Sequence, residues 1–494
     1  MPLLKITKKI KTKRKPKSKL AQIIGQGTYG CVFRPDINCH TQLPGSNDYL
    51  SKISLQNTFS MTEISIGKVI KSIPNFHFFF APILESCDIN VSTIDHSQIE
   101  KCDVITKSYT NSYANSLTGS TIPKFVSNKI RYVGNQDLNA YLYHILIAEC
   151  NNSSLVKCLS HLKKTKNIIN LLSKVVETHL YLLNSIKLLN DNGIVHLDLK
   201  FNNIIHDKNN DVFIIIDFGL SKQIKDMEAT NYQKYSKRRF GVLVETYPPW
   251  AIDIVMLSYI AKQIKTNNSI ADLNASVVDL EKFQSKISET QLREMKRHCT
   301  LYATKNEVFQ MSIFTETDRK TIETKLHKWI DGFKGKTMQE IWTTILSFNK
   351  SWDNYSLAIM FLQIFQDTGI LDFILRSPSQ LPDKNNVWTT ISNVVTGATS
   401  EQRKGFHFLI EYTTLMKNII LSEPMSRPVP LDTSTQIKTI FKRIDRAVFA
   451  KLVKLMNVKI LQPKNIETIK ANQLRRNLKD ITAERDIQNK INAN

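Results

Sequence analysis

Apolar and polar positions along the chain follow two different periods, and the dominant period changes near residue 150. Before that point, short apolar runs of strand length alternate with polar stretches, and only residues 60–73 repeat at helical spacing, through Ile66, Ile70 and Ile73. After it, helical spacing dominates, as in residues 168–190. The order predicts a small antiparallel sheet followed by a large helical region, which is an α+β fold.

The predicted elements are short, and turn-forming residues separate them. The predicted strands are residues 32–34, 49–54, 76–83, 124–133 and 141–148, and the first predicted helices of the second region are 155–162 and 168–190. The later of these two helices ends at Asn192-Gly193, which is a common helix-end signal.

Composition adds a strong positive charge to this picture. The 494 residues carry a net charge of +23 with a pI near 9.5, and 42% of them are hydrophobic, which is enough for a large core. The charge predicts attraction to nucleic acid, lipid head groups or acidic proteins without choosing among them. Nine lysines and arginines crowd residues 1–19, which predicts either a solvated arm or a tether for nuclear import, nucleic acid or lipid.

The sequence has no run of about 18 apolar residues that could cross a bilayer, and its start lacks the apolar core of a secretory signal. Seven cysteines are scattered without a C-x-x-C pair. We therefore expect reduced cysteines and an intracellular protein.

A glycine-rich stretch at the start of the sheet predicts a phosphate-binding hairpin. Residues 25–32 match the pattern G-x-G-x-x-G-x-V. A dinucleotide site uses a similar pattern but opens a helix, whereas here Val32, Phe33 and Arg34 continue as a strand. Glycine lets backbone N–H groups approach phosphate oxygens without a Cβ in the way. The candidate nucleotide-binding residues of this stretch are Gly25, Gln26, Gly27, Thr28, Tyr29, Gly30 and Val32.

Two lysines compete for the role of pairing the phosphates of a nucleotide. Lys52 lies in a predicted strand, whereas Lys68 lies in a predicted helix, so we favour Lys52. Glu63 lies on the inward face of that helix, where it could form an ion pair with Lys52. The alternative is a capping box, in which Glu63 reaches back to Ser60 at the start of the helix.

A group of polar side chains follows Gly193 with the spacing H-x-D-x-K-x-x-N. The group comprises His196, Asp198, Lys200 and Asn203, and Asp217 follows at the end of an apolar, strand-like run. Phosphoryl transfer needs a proton acceptor for the attacking hydroxyl and oxygen ligands for Mg²⁺. Because these residues supply both, the sequence predicts phosphoryl-transfer chemistry.

In this order, the motifs resemble the eukaryotic-type protein kinase family over roughly residues 23–428. The resemblance implies a bilobal fold, with a small antiparallel β lobe, a large helical lobe, and ATP between them together with Mg²⁺ or, in its place, Mn²⁺. It implies that Asp198 is the base for the substrate hydroxyl and that Lys200 stabilises the transferring phosphate. Asn203 and Asp217 would hold the metal.

The resemblance also implies where adenine and substrate bind. Glu149 and Cys150 lie where a linker strand offers backbone groups to adenine. Lys200, two residues after Asp198, is similar to the serine/threonine version of the loop, and Thr246 stands where a threonine of the activation segment bonds to that loop. The implied partners are ATP and proteins with serine or threonine hydroxyls.

The chain departs from the family pattern at three places. Leu197 replaces the arginine of H-R-D, so no cation there can hold a phosphate of the activation loop, and we do not expect its phosphorylation to be the switch. Asp253 replaces the glutamate of A-P-E, and we expect it to pair with Arg427. The segment around Asp353, which is similar to the start of the family's large central helix, comes 100 residues after Asp253, so residues 258–345 form an insertion with helical patterns.

These observations divide the chain into four parts. They are a basic arm (1–19), a β lobe (20–150), a helical lobe (151–432) and a basic helical extension (433–494). The glycine stretch and the Tyr-Pro-Pro-Trp sequence at 247–250 look like those of kinases from large cytoplasmic DNA viruses of the iridovirus or giant-virus type. That likeness implies the host cytoplasm and the virion as settings.

Three hypotheses for the function follow. The first is an active serine/threonine protein kinase, since each residue that the chemistry needs is present. The second is a pseudokinase or scaffold that binds nucleic acid or acidic proteins through its basic surface. The third is a small-molecule kinase, which would share the catalytic loop, although the segment at Thr246 argues against it.

Deleting residues 1–19 tests the role of the basic arm. We expect weaker binding to heparin or nucleic acid and a shallower dependence of that binding on salt, because fewer cations would neutralise the polyanion. Fluorescence anisotropy at low and raised salt measures both, and the rate of phosphoryl transfer should stay unchanged. Equal polyanion binding by the two proteins would contradict a role for the arm.

Overall fold

The computed structural model describes residues 21–27, 30–37, 46–94, 96–108, 124–148, 168–232, 243–264, 278–368, 371, 400–444 and 450. The chain divides into two compact units. Unit 1 takes its described residues from Met1–Phe76, Ala81–Val133 and Asp217–Leu220, and unit 2 from His77–Phe80, Gly134–Ile216 and Ser221–Asn494. Unit 1 contains an antiparallel sheet and unit 2 is mainly helical, so the predicted α+β fold is confirmed.

Unit 1 is built on a five-stranded antiparallel sheet with the order β1-β2-β3-β5-β4. The strands are β1 (Gln22–Gly27), β2 (Gly30–Arg34), β3 (Tyr49–Leu55), β4 (Ile83–Ile89) and β5 (Phe125–Arg131). The prediction of a strand over 76–83 is wrong, since β4 begins where that segment ends. The aromatic run before β4 packs in unit 2 instead, where Phe79 stacks on Tyr181 with ring centroids 5.5 Å apart.

Helix α1 (Thr58–Ser72) begins two residues earlier than its apolar spacing predicts. The Asn57 side chain accepts hydrogen bonds from the backbone N–H groups of Phe59 and Ser60, and the Ser60 hydroxyl accepts one from the backbone N–H of Asn57. This reciprocal capping box satisfies the start of the helix. Glu63 therefore has no part in capping, which settles the alternative that the sequence left open.

One face of the sheet contributes to a core that also includes residues between 91 and 105, among them the short helix α2 (His96–Ile99). The buried residues of this core are Ala21, Cys31, Phe33, Ile53, Val91, Ile99, Cys102, Ile105 and Phe125. Within it, Cys31 and Cys102 are joined by a disulfide. The expectation of reduced cysteines is wrong for this pair, because spacing along the chain does not reveal that the two residues meet in the folded core.

Unit 2 is formed by helices and two small strand pairs. The helices are α3 (Leu138–Ala148), α4 (Ile168–Asp191), α5 (Ile224–Met227), α6 (Ala229–Tyr232), α7 (Ile252–Gln263), α8 (Leu280–Gln284), α9 (Glu289–Lys305), α10 (Glu316–Asp331), α11 (Met338–Leu346), α12 (Trp352–Asp367), α13 (Ser400–Ile420) and α14 (Pro430–Ile444). The strands are β6 (Ile194–Val195), which pairs with β9 (Lys222–Gln223), and β7 (Ile204–Asp207), which pairs with β8 (Val212–Ile215). None of the helices in the described part of the chain is long and apolar enough to cross a membrane.

Helix α3 replaces the strand predicted over 141–148. The Asp137 carboxylate accepts a hydrogen bond of 2.8 Å from the backbone N–H of Ala140, as a helix N-cap does. Leu138 and Leu142, four residues apart, are fully buried on one face. The prediction failed because a short apolar run has the same appearance in a strand and in a buried helix. Glu149 and Cys150 lie outside the described residues, as do the basic arm and the helix predicted over 155–162.

Helix α12 is the centre of unit 2, since thirteen of its sixteen residues are buried. A helix that is buried on all sides must be covered by other elements. His179 of α4 stacks on Phe361 of α12 with ring centroids 4.0 Å apart, and its Nδ1 atom lies 2.5 Å from the Tyr412 hydroxyl of α13. Three helices therefore meet at one imidazole.

In the described residues between α7 and α12, four helices lie in the segment that the sequence predicts to be an insertion. They are α8, α9, α10 and α11, and the last three each begin with a capping box. The N-cap residues are Ser288, Thr315 and Thr337, and each pairs with a polar side chain three residues later. The insertion is thus a folded part of unit 2, with local helix-start signals of its own.

Acid should destabilise the protein through His179. Burial lowers the pKa of this imidazole to about 3, whereas a histidine in the unfolded chain has a pKa of about 6.5. As the pH falls below 6.5, the unfolded chain takes up a proton that the folded chain excludes, so the free energy of unfolding decreases by up to about 1.4 kcal/mol per pH unit from this group.

Urea unfolding of wild type and His179→Gln between pH 7 and pH 4 measures this contribution. The variant has no imidazole at this position, so the slope of its unfolding free energy against pH should be smaller by about one proton. Equal slopes for the two proteins would contradict the assignment.

Candidate active site

The stretch that carries the H-x-D-x-K-x-x-N pattern follows the end of α4. Gly193 adopts a left-handed conformation with φ of 65°, and its N–H donates to the carbonyl of Asn190 over 3.0 Å. Glycine suits this position because a Cβ is disfavoured in that conformation. The turn delivers the chain into β6, and the loop of the H-x-D-x-K-x-x-N pattern follows directly.

Leu197, in that loop, also has a left-handed backbone, with φ of 64°. For a residue with a Cβ, this conformation costs roughly 1–2 kcal/mol. The Asp353 carboxylate offsets the cost, because its two oxygens accept the backbone N–H groups of His196 at 2.8 Å and of Leu197 at 3.0 Å. The Trp250 indole N–H donates to the Leu197 carbonyl over 2.8 Å. Both backbone polar groups of the strained residue are therefore fixed by side chains.

His196 braces the loop from the inside. Its Nδ1 atom accepts the backbone N–H of Asp198 at 3.2 Å, so the ring proton lies on Nε2 and is donated to the carbonyl of Ile216 over 3.0 Å. The Ser221 hydroxyl donates to the His196 carbonyl. The imidazole is fully buried. These contacts give it the bracing position that the resemblance implies.

Three donors converge on the Asp198 carboxylate. The Lys200 ammonium lies 3.1 and 3.0 Å from its two oxygens, and the Asn203 amide donates to Oδ2 over 2.9 Å. The Tyr247 hydroxyl donates to Oδ1. A carboxylate that accepts these bonds is oriented to receive a further proton from a nearby hydroxyl.

In unit 1, the Lys52 ammonium contacts two carboxylates. Its ammonium lies 3.0 Å from Glu63 Oε2 and 2.9 Å from Asp217 Oδ1. Burial alone would lower the pKa of Lys52, but the negative charges of Glu63 and then Asp217, with their hydrogen bonds, outweigh it and raise the pKa above its usual value. Lys52 is therefore a permanent cation. Lys68 is exposed on α1 and shares none of these contacts.

The glycine stretch forms the hairpin of β1 and β2, as its pattern predicts. A Cβ at Gly30 would lie 2.3 Å from the carbonyl oxygen of Ile53, so only glycine fits beside β3 there. A Cβ at Gly27 would meet no described atom within 4 Å, which leaves open space beside the backbone. Thr28 and Tyr29 lie outside the described residues.

The two predicted metal ligands lie in different units, Asn203 in unit 2 and Asp217 in unit 1. The Asn203 amide donates to the Asp198 carbonyl at 2.8 Å and to the Asp198 carboxylate at 2.9 Å. No hydrogen bond from the described part of the chain reaches Asn203 Oδ1. Amide and carboxylate oxygens are ligands that Mg²⁺ accepts, so the donor chemistry fits. Within the described residues, no cluster of three or more histidine, cysteine or acidic side chains provides another metal site.

The segment after the catalytic loop differs from the expectation for Thr246. This side chain is exposed, and none of its contacts reaches the loop; Tyr247 and Trp250 make those contacts instead. The Thr246 side chain is exposed to solvent, whereas Trp250 is buried. Asp253 pairs with Arg427 over 2.9 Å, as expected, and both are buried.

Sequence reasoning missed three residues that shape the site. Asp353 carried a signal, since it lies in the Ser-Trp-Asp pattern at the start of α12, but its contact with the loop was not foreseen. Tyr247 and Trp250 belong to the Tyr-Pro-Pro-Trp sequence, in which nothing local indicates their partners. Each contact joins residues that lie far apart along the chain.

Comparisons with known proteins give a family match to part of the chain and a likeness to solved structures. The family model described as Protein kinase domain matches residues 125–239, which include the catalytic loop and Asp217. No curated protein matches the chain. Among solved structures, "Crystal structure of a Stt7 homolog from Micromonas algae soaked with ATP" is similar at 12% identity and a TM-score of 0.39, over 87% of this chain and 96% of that chain. The family match covers less than a quarter of the chain and agrees with the predicted kinase-like fold.

Replacing Asp353 should distort the catalytic loop without affecting nucleotide binding. In Asp353→Asn, one of the two acceptor oxygens becomes an NH₂ group that faces a backbone N–H, and a buried unpaired donor costs about 1–3 kcal/mol. We expect kcat to fall by about tenfold to a hundredfold. Steady-state kinetics, with ATP affinity measured separately, tests this; a wild-type kcat would contradict it.

Proposed function

We propose that this protein is an ATP-dependent protein kinase that transfers the γ-phosphate of ATP to serine and threonine hydroxyls of other proteins. The observation that carries the proposal is the arrangement at Asp198, where a lysine and an asparagine orient one carboxylate in a loop that matches the kinase domain. This arrangement suits proton removal from an attacking hydroxyl.

Asp198 accepts the proton of the substrate hydroxyl as the oxygen attacks the γ-phosphorus. Lys200, whose ammonium is within hydrogen-bond reach of Asp198, stabilises charge on the transferring phosphate. Its place two residues after Asp198 supports serine and threonine as acceptors, through the family resemblance. Asn203 and Asp217 would hold Mg²⁺, which neutralises phosphate charge when bound.

The nucleotide is bound, in this proposal, by the glycine hairpin and by Lys52. The open space beside Gly27 admits a phosphate close to the backbone, and the Lys52 cation pairs with phosphate oxygens while Glu63 holds it in place. By the family resemblance, Thr28 and Tyr29 would contribute to phosphate binding, and Glu149 and Cys150 to adenine binding.

The proposed origin of the protein and its further partners also rest on the sequence. The likeness of the glycine stretch and of residues 247–250 to kinases of large cytoplasmic DNA viruses supports a viral origin, with the infected cytoplasm and the virion as settings. The net charge of +23 supports contact with polyanions through the basic arm. It is also the observation that favours the second candidate function, a scaffold without catalysis.

Substitution of the charged residues separates these two functions. Lys52→Ala and Asp217→Ala should each lower kcat by about a hundredfold or more, because both remove charge that acts in the transition state. The matched control is Lys68→Ala, which removes an exposed lysine of the same unit and should keep the wild-type rate. Transfer of labelled γ-phosphate to histone and casein measures the rate, and phosphoamino-acid analysis identifies the acceptor. Equal labelling by wild type and Asp217→Ala would refute the kinase and favour the scaffold.

A further inference from the structure

The catalytic carboxylate is already hydrogen-bonded to a hydroxyl of its own chain. The Tyr247 hydroxyl donates to Asp198 Oδ1, which also accepts from Lys200, while Oδ2 accepts from Lys200 and Asn203. A substrate hydroxyl must donate to this same carboxylate before it can lose its proton. Tyr247 therefore makes the bond that an incoming serine or threonine has to make.

The backbone around Tyr247 is fixed from two sides of unit 2. The Trp250 ring lies edge-on to the Tyr247 ring with centroids 5.3 Å apart, and its indole N–H is bound to the Leu197 carbonyl. The Ser356 hydroxyl of α12 donates to the Pro249 carbonyl over 2.7 Å. Tyr247 thus reaches the carboxylate from an anchored segment.

Two residues of the helical insertion also contact the segment around Tyr247. Asn306, which follows α9 and is fully buried, donates to the Glu245 carbonyl over 2.9 Å and lies 3.5 Å from that of Tyr247. Its Oδ1 atom accepts the backbone N–H of Val308 at 3.0 Å, which fixes the orientation of the amide. His298 of α9 is hydrogen-bonded to the Glu245 carboxylate. The insertion therefore holds the backbone immediately before Tyr247.

We propose that Tyr247 is a hydroxyl gate, which occupies the acceptor side of Asp198 until a substrate hydroxyl displaces it, and that the insertion positions this gate through Asn306 and His298. The inference rests on the proposed kinase function and gives the insertion a role in it. Leu197 places no cation where the family resemblance implies an arginine, and contacts within the chain hold the segment around Tyr247.

Removal of the gate should make the base easier to reach. Tyr247→Phe keeps the ring against Trp250 and deletes only the hydroxyl, so kcat/KM for the protein substrate should rise by about tenfold, as expected for loss of one competing hydrogen bond to a charged group. The KM for ATP should stay unchanged. Tyr143→Phe, which makes the same change at an exposed tyrosine of α3, is the control and should leave both values unchanged.

A second variant tests the insertion. Asn306→Asp retains an oxygen that caps Val308 but loses the donor to the Glu245 carbonyl. Amide hydrogen exchange over 244–250, followed by mass spectrometry, should become faster in this variant, and kcat/KM for protein should rise. In the Tyr247→Phe background the same change should add nothing, because the gate is already absent. Unchanged exchange, or a further rise in the double variant, would overturn the role of the insertion.

A readout without catalysis tests the contact itself. In protein labelled with ¹³C at Cζ of tyrosine, the Tyr247 resonance is identified by its loss in Tyr247→Phe, and it should shift in Asp198→Asn. A resonance that does not respond, or a lower kcat/KM in Tyr247→Phe, would overturn the gate. Phosphate on Tyr247 that accumulates at a rate independent of protein concentration would also overturn it, because Tyr247 would then be an acceptor.

Failure of the proposed function gives a different result. In that case, wild type would transfer no more phosphate than Asp217→Ala, whatever the NMR signal shows. A rise or a fall of kcat/KM in Tyr247→Phe can be measured only if the activity depends on Asp217. Failure of the gate and failure of the kinase function are therefore distinguishable.

Discussion

A single buried carboxylate determines the geometry of the catalytic loop. Asp353 has no exposed surface and accepts two successive backbone N–H groups, those of His196 and Leu197. These two hydrogen bonds stabilise the left-handed conformation of Leu197, which is otherwise unfavourable for a residue with a Cβ. Burial raises the pKa of Asp353, while the bonds from His196 and Leu197 favour its charged form. The position of Asp198, one residue later, depends on this balance between desolvation and hydrogen bonding.

Sequence predicted the local arrangement of the loop better than it predicted the helices and strands around it. The acid, the lysine and the asparagine of the loop are close together along the chain, and their spacing alone placed them in one site. The ion pair of Lys52 with Glu63 was also predictable, because strand and helix periodicity put both side chains on inward faces. In both cases, the positions of the side chains follow from spacing along the chain or from the periodicity of a strand and a helix.

The failures have two physical origins. Residues 141–148 were assigned to a strand because an apolar run does not distinguish a strand from a buried helix, and the cap at Asp137 was overlooked. The bond between Cys31 and Cys102 and the contact of Tyr247 with Asp198 join distant parts of the chain. Such contacts arise from tertiary packing, and no local pattern records them. The insertion was recognised by its length, but its contacts with Glu245 were not foreseeable.

The capping of α1 by Asn57 has a consequence for how this protein can evolve. Because Asn57 and Ser60 satisfy the start of the helix, Glu63 is free to serve only the charge of Lys52. Helix capping and ion pairing thus depend on different positions of one helix. A descendant that exchanged Glu63 for glutamine would keep its helix start and lose one of the two anions beside the lysine, with Asp217 remaining. The charge beside Lys52 can therefore change by drift at a position that helix formation does not constrain.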